Sequence, residues 1–176
     1  MHTLKDTHHI PNGVKNFPMS KVAELKKQFE SNDWKIRLKA SDELAAIGTV
    51  ESLSFLRDQL KSEDNWIRNA AVLGLMETRK QQFFKAIVDR ISELGFHEEI
   101  GTMVYALKNF DCSNELLFIC KLYLNGNAEV QMSTSTILAE QKFRVTEDEL
   151  LSTLQLLNEH ELKTEDFKIK YELIKK

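Results

Sequence analysis

Proline and glycine are scarce, at 2 and 6 among 176 residues. An all-β sandwich or barrel needs turn residues every ~8–12 positions, so that class is excluded. Cysteine is equally scarce. Cys112 and Cys120 stand eight residues apart, in or beside one predicted helix. Their Cα atoms then lie about 12 Å apart at the helical rise, beyond the reach of a disulfide. They read as two reduced thiols, as in an intracellular protein. Charge of one sign is not in excess either: 24 Lys and Arg face 27 Asp and Glu, for a net charge of −3. That balance leaves no footprint for DNA or RNA. No apolar run approaches the ~18 residues of a membrane span. The opening MHTLKDTHHIPNGVKNFP has no apolar stretch like that of a signal peptide. These absences point to a cytoplasmic chain that does not enter a membrane.

Motifs for chemistry are missing as well. There is no Gly-rich phosphate loop and no His-Glu-x-x-His, and the cysteines are not at metal spacing. His8 and His9 are adjacent, so they cannot converge as ligands on one helical face. His97, Glu98 and Glu99 cluster at a predicted helix start, as do Glu147, Asp148 and Glu149. Acidic residues favour helix N-termini on electrostatic grounds alone. A thiol–imidazole pair of Cys112 and His97 has nothing in the sequence to fix its distance. The expectation is a protein with no catalytic, metal or cofactor-binding residues.

What is present is a repeat. Hydrophobic residues make up 42% of the chain, enough for one domain or a short repeat array. Leu44, Leu75, Leu107 and Leu138 are separated by 31, 32 and 31 residues. Four residues before each stand Ala40, Ala71, Met103 and Thr134; eight before stand Ile36, Ile67, Glu99 and Val130. Positions i, i+4 and i+8 share a helical face, so one amphipathic helix, termed A, recurs four times. A second helix, B, runs in phase: Val22, Leu25, Phe29; then Leu53, Leu56, Leu60; then Phe84, Ile87, Ile91; then Leu116, Ile119, Tyr123. The step from the A leucine to the first B residue is nine each time, at 44 to 53, 75 to 84 and 107 to 116. A constant offset of this kind implies a helix–turn–helix unit stacked along the chain.

The start signals agree. Asp33, Asp64 and Asn127 each precede the first apolar residue of an A helix by three, the place of an N-cap. Phe96 occupies that place in the third A helix. Thr49 and Ser113 are expected to cap B helices, and Thr146 with Glu149 reads as a capping box opening the last B helix. Gly48 and Gly126 fall near helix ends. Residues 1–18 read as a disordered tail and 19–160 as the repeat domain. That domain has a lone B-type helix from about Ser20 to Glu30, then pairs beginning near Asp33, Asp64, His97 and Asn127. Residues 161–176 read as a C-terminal helix or cap, with Phe167, Ile169, Tyr171 and Ile174 as its apolar members.

The segments Asp33-Trp34-Lys35-Ile36-Arg37 and Asp64-Asn65-Trp66-Ile67-Arg68 resemble the HEAT-repeat family, which has an Asp, then an aliphatic residue and Arg, then small residues and a Leu. The resemblance is full in two repeats. It weakens in the third, which has Glu99-Ile100, and in the fourth, which has Asn127 and Gln131. It implies an all-α, right-handed α-solenoid of about four helix pairs with an extra N-terminal helix. It also implies that Asp33, Arg37, Asp64 and Arg68 form a hydrogen-bonded ladder between neighbouring repeats, and that the stack serves as a non-catalytic scaffold or adaptor for another protein.

The candidate contact residues follow from position. Trp34 and Trp66 fall near the turns on one edge of the stack, and tryptophan is common in interface hot spots. The groove is expected between B helices, where Lys26, Arg57, Val88 and Cys120 make one row and Lys27, Asp58, Asp89 and Lys121 the next. Mixed signs in these rows disfavour a surface that tracks phosphates. The helix around Leu116–Leu124 is apolar nearly all round, so Leu117, Phe118 and Leu124 fall off its core stripe. Trp34, Trp66, Arg57, Leu117, Phe118, Lys121 and Leu124 are the expected partner-binding set, on a monomer that binds another protein. An immunity or inhibitor protein masking a toxin or enzyme is the alternative reading, and a nucleic-acid-binding stack is a further one.

Overall fold

The computed structural model describes residues 19–96 and 99–160. The expectations for residues 1–18, for His97 and for residues 161–176 lie outside the described residues. Among those described, the chain is entirely helical: α1 (Met19–Phe29), α2 (Trp34–Ile47), α3 (Val50–Gln59), α4 (Asn65–Glu77), a 3-10 turn (Gln81–Phe83), α5 (Phe84–Leu94), α6 (Gly101–Leu107), α7 (Leu116–Asn125), α8 (Ala128–Glu140) and α9 (Glu147–Glu159). The even-numbered helices are the A helices and the odd-numbered ones the B helices.

The caps act at short range. Asp33 accepts the Lys35 and Ile36 N–H groups, Asp64 that of Trp66, Thr49 that of Ser52, Asn127 that of Val130 and Thr146 that of Glu149. Each satisfies helix donors that would otherwise be orphaned, contributing about 1 kcal/mol. Gly48 ends α2 at φ 66°, a left-handed conformation that costs glycine least. Ser113 is not a cap. α7 begins at Leu116, and Ser113 Oγ instead accepts from Arg144 Nη2 at 2.8 Å. The third A helix also starts later than expected. With no capping side chain at Ile100, α6 has only 7 residues.

The expected stripes form the core. Leu25, Leu44, Leu56, Leu75, Ile87, Ile91, Met103, Leu107 and Ile119 are buried in one continuous cluster. The first A position is a correction. Ile36 is 45% exposed, Ile67 is half-buried and Glu99 is exposed; only Val130 is buried. Residues i and i+8 are offset by about 80° around a helix. A stripe drawn through all three positions therefore runs off a narrow interface.

The two layers are spaced differently. α2, α4, α6 and α8 pack backbone against backbone, whereas the B helices stand further apart and close up only at α7 and α9. Small residues set the tight layer. Ser41 Oγ donates to the Ala70 carbonyl at 2.6 Å. A Cβ on Gly74 would sit 3.0 Å from the Ser41 carbonyl oxygen and against the Ser41 hydroxyl. In the B layer, side chains bridge the gap, as Phe29 meets Phe55 edge-on at 5.3 Å between ring centroids. The close side-to-side packing of the stack therefore lies in the A layer.

Candidate binding surface

The edge formed by the A-helix starts carries the two tryptophans. Each follows an N-cap closely, so capping holds the first turns of α2 and α4 in register. Ring centroids of Trp34 and Trp66 lie 5.3 Å apart at an interplanar angle of 68°, an edge-to-face geometry that the ring quadrupoles favour. Trp34 packs partly against the core. Trp66 is 56% exposed. Beside it, Asn65 Nδ2 donates to the Glu99 carboxylate and so ties α4 to the approach of α6.

The four proposed ladder residues are placed as two caps and two buried arginines. Asp33 and Asp64 direct their carboxylates to their own helix starts. Arg37 Nε donates to the Phe29 carbonyl at 3.0 Å, and Arg68 Nη1 to the carbonyls of Ser62 and Glu63 at 2.9 and 2.8 Å. Each arginine thus ties its A helix to the end of the preceding B helix. Arg90 on α5 reaches the same turn, donating to the Ser62 carbonyl and the Glu63 carboxylate.

The B surface is locally neutralised. Lys26 bonds Glu51 at 2.6 Å and lies 5.5 Å over the Phe55 ring. Arg57 pairs with Asp58 at 3.2 Å, and Lys85 with Asp89 at 2.7 Å. Cys120 is buried and lines no groove. On α7, Lys121 is exposed while Leu117, Phe118 and Leu124 are half-buried. Phe118 faces Phe96 at 6.5 Å between centroids. The structure does not bring the α7 set together with the tryptophans; the two lie on different layers of the stack.

Features that the sequence did not signal sit at the A-to-B turns. Gln81 and Gln141, each one repeat away from segment 110–112, bond its backbone from either side. An open cavity of about 400 Å³ lies at the ends of α2 and α4, lined by Asp42, Ala45, Ala46, Glu77 and Thr78. Burial, and then the nearby Glu77 carboxylate, raise the Asp42 carboxyl above its ordinary range. Burial pushes the Cys112 thiol up to about 12, so it stays protonated and unreactive near neutral pH. Among the described residues, no group of three or more His, Cys, Asp or Glu is placed to hold a metal ion. Nor is any helix among them long and apolar enough to cross a membrane.

Residues 22–93 match the family model of HEAT repeats. They are HEAT repeats. The match runs from α1 into α5 and takes in both tryptophans and both buried arginines. No curated protein and no solved structure matches the chain. The helical stack continues past the matched segment, since α6 to α9 keep the A/B alternation and pack in the same two layers. HEAT repeats generally act as protein-interaction scaffolds and are typically non-catalytic.

Proposed function

We propose that the protein is a non-catalytic scaffold that holds another protein at the Trp34–Trp66 edge of its HEAT stack. The observation that carries this reading is the Trp66 ring, left 56% exposed beside Trp34 at the edge of the stack. Exposed tryptophan costs free energy in water and contributes more binding energy per residue than most other side chains. Trp34 holds the ring from one side, so little conformational entropy remains to be lost on binding. Arg57, Lys121 and the half-buried Leu117, Phe118 and Leu124 supply a second, weaker contact surface across the B layer. The paired charges on that layer speak against phosphate tracking.

The test is affinity capture from host lysate with the full chain and with Trp66→Ala, each with and without nuclease. One stoichiometric protein that survives nuclease and falls at least tenfold with Trp66→Ala is expected. Recovery that vanishes with nuclease overturns the reading in favour of nucleic acid. Equal recovery by the variant moves the contact off this edge.

A further inference from the structure

α4 packs against α2 and α6 within the A layer and against α3 in the B layer. The side left over carries Trp66, Leu73 and Glu77, at i, i+7 and i+11, which share one helical face. Trp66 is exposed, Leu73 half-buried and Glu77 exposed. This free face runs from the tryptophan edge to the cavity at the other end of the helix, about 16 Å away at the helical rise. There α2 and α4 end beside each other. Asp42 and Glu77 line the cavity, and Ala45 and Ala46 add methyl groups to it.

Negative charge gathers at that end with no cation of the fold to match it. Neither carboxylate forms an ion pair among the described residues, whereas Glu43 pairs with Lys21 at 3.1 Å and Glu51 with Lys26 at 2.6 Å. The last turns of α2 and α4 contain no basic residue, and the carbonyls that end each helix add partial negative charge. Burial and the Glu77 carboxylate raise the Asp42 carboxyl above its ordinary range, so a cation between the two groups relieves a repulsion present in the free protein. The alanine methyls suit the stem of a long cationic side chain, whose methylenes lie on apolar surface while the charged head meets the carboxylates. Resting on the scaffold reading above, we propose that the partner protein lies along the free face of α4, with an apolar group against Trp66 and Leu73 and a lysine or arginine side chain in the Asp42–Glu77 cavity. Such a face selects basic segments and rejects acidic ones, because a carboxylate in the cavity meets two of its own sign.

The cavity is tested with a defined probe on the full, nitrogen-15-labelled chain. N-acetylarginine amide, and N-acetylcitrulline amide as its uncharged isostere, are titrated in and followed by NMR. Saturable shifts confined to the amides around the cavity, at residues 42–48 and 74–79, are expected with arginine alone. Asp42→Asn combined with Glu77→Gln should weaken that binding about tenfold, and Trp66→Ala should leave it unchanged; circular dichroism checks that each variant keeps its helicity. Shifts that never saturate, that citrulline reproduces or that the double variant retains overturn the proposal. Capture from lysate separates it from the scaffold reading. The double variant should lower recovery of the stoichiometric protein about tenfold, the loss of a desolvated charge pair. A protein lost with Trp66→Ala but recovered in full by the double variant overturns the cavity assignment and leaves the tryptophan edge standing. Recovery unchanged by Trp66→Ala overturns both. A wild type that light scattering shows to be a dimer, and that the double variant makes monomeric, overturns the proposal by assigning the face to a second copy.

Discussion

Gln81 and Asp111 exchange two hydrogen bonds across one repeat: Gln81 Nε2 donates to the Asp111 carbonyl and the Asp111 N–H donates to Gln81 Oε1, both at 2.9 Å. Gln141 repeats the device from the next unit. Its Oε1 accepts the Cys112 N–H at 2.8 Å and its Nε2 donates to the Phe110 carbonyl at 2.9 Å. A side-chain amide thus stands in for a peptide group, and segment 110–112 is held from both sides. Since a net hydrogen bond contributes about 1 kcal/mol and an orphaned buried donor costs more, Gln141→Ala should cost about 2 kcal/mol. Gln81→Ala, which frees exposed groups that water can satisfy, should cost about 1 kcal/mol. Urea denaturation of the two variants checks the order.

The tryptophan pair predicts a coupling energy. Trp66→Ala removes a largely exposed ring and should lower stability by less than Trp34→Ala, whose ring packs on the core. A double-mutant cycle between them should give about 0.5–1.5 kcal/mol, the usual range for an edge-to-face pair. A coupling near zero would show that the rings do not meet in solution.

Gly74→Ala tests the tight layer. In an exposed helix this change stabilises by about 1 kcal/mol. Here the new methyl meets the Ser41 hydroxyl and carbonyl and lies 3.3 Å from Leu56 Cδ1. Ser41 cannot rotate away without giving up its bond to Ala70. The expected result is a loss of about 1–3 kcal/mol, read as a lower urea midpoint with an unchanged slope.

The Asp42 carboxyl predicts the sign of a pH effect. Its folded pKa is raised, first by burial and then by Glu77, so the folded state binds more protons than the unfolded state just above the ordinary carboxylate range. Stability from this group is present at low pH and is lost as pH rises through the folded pKa. Asp42→Asn removes the charge. The variant should be more stable than the wild type at pH 7, with the difference shrinking toward pH 4. A difference that is constant with pH between urea titrations would show that Asp42 ionises normally.

Local chemistry explains which features the sequence made legible. Asp33, Asp64, Thr49, Asn127 and Thr146 act on N–H groups two or three residues away, so spacing alone identifies them as caps. The A and B stripes are equally local, because helical period decides which side chains share a face. Ser113 is not a cap because α7 begins only at Leu116, with Glu115 at the N-cap position, and the Ser113 hydroxyl accepts instead from Arg144, 31 residues away. Nothing within a turn of Ser113 carries that signal. The expected contact residues divide in the same way. Placing Trp34 and Trp66 on one edge needed only the repeat register, whereas their 5.3 Å contact needed the distance between α2 and α4.

The sequence by itself determined the order of the helices and most of the buried stripes, because these depend on periodicity and on contacts within one turn. Tertiary structure decided how closely the A helices approach, which turns the glutamines clasp and how much of Trp66 meets water. Those outcomes depend on the distance between helix axes. Small residues at Ser41, Ala70 and Gly74 set that distance jointly, and none of them sets it alone.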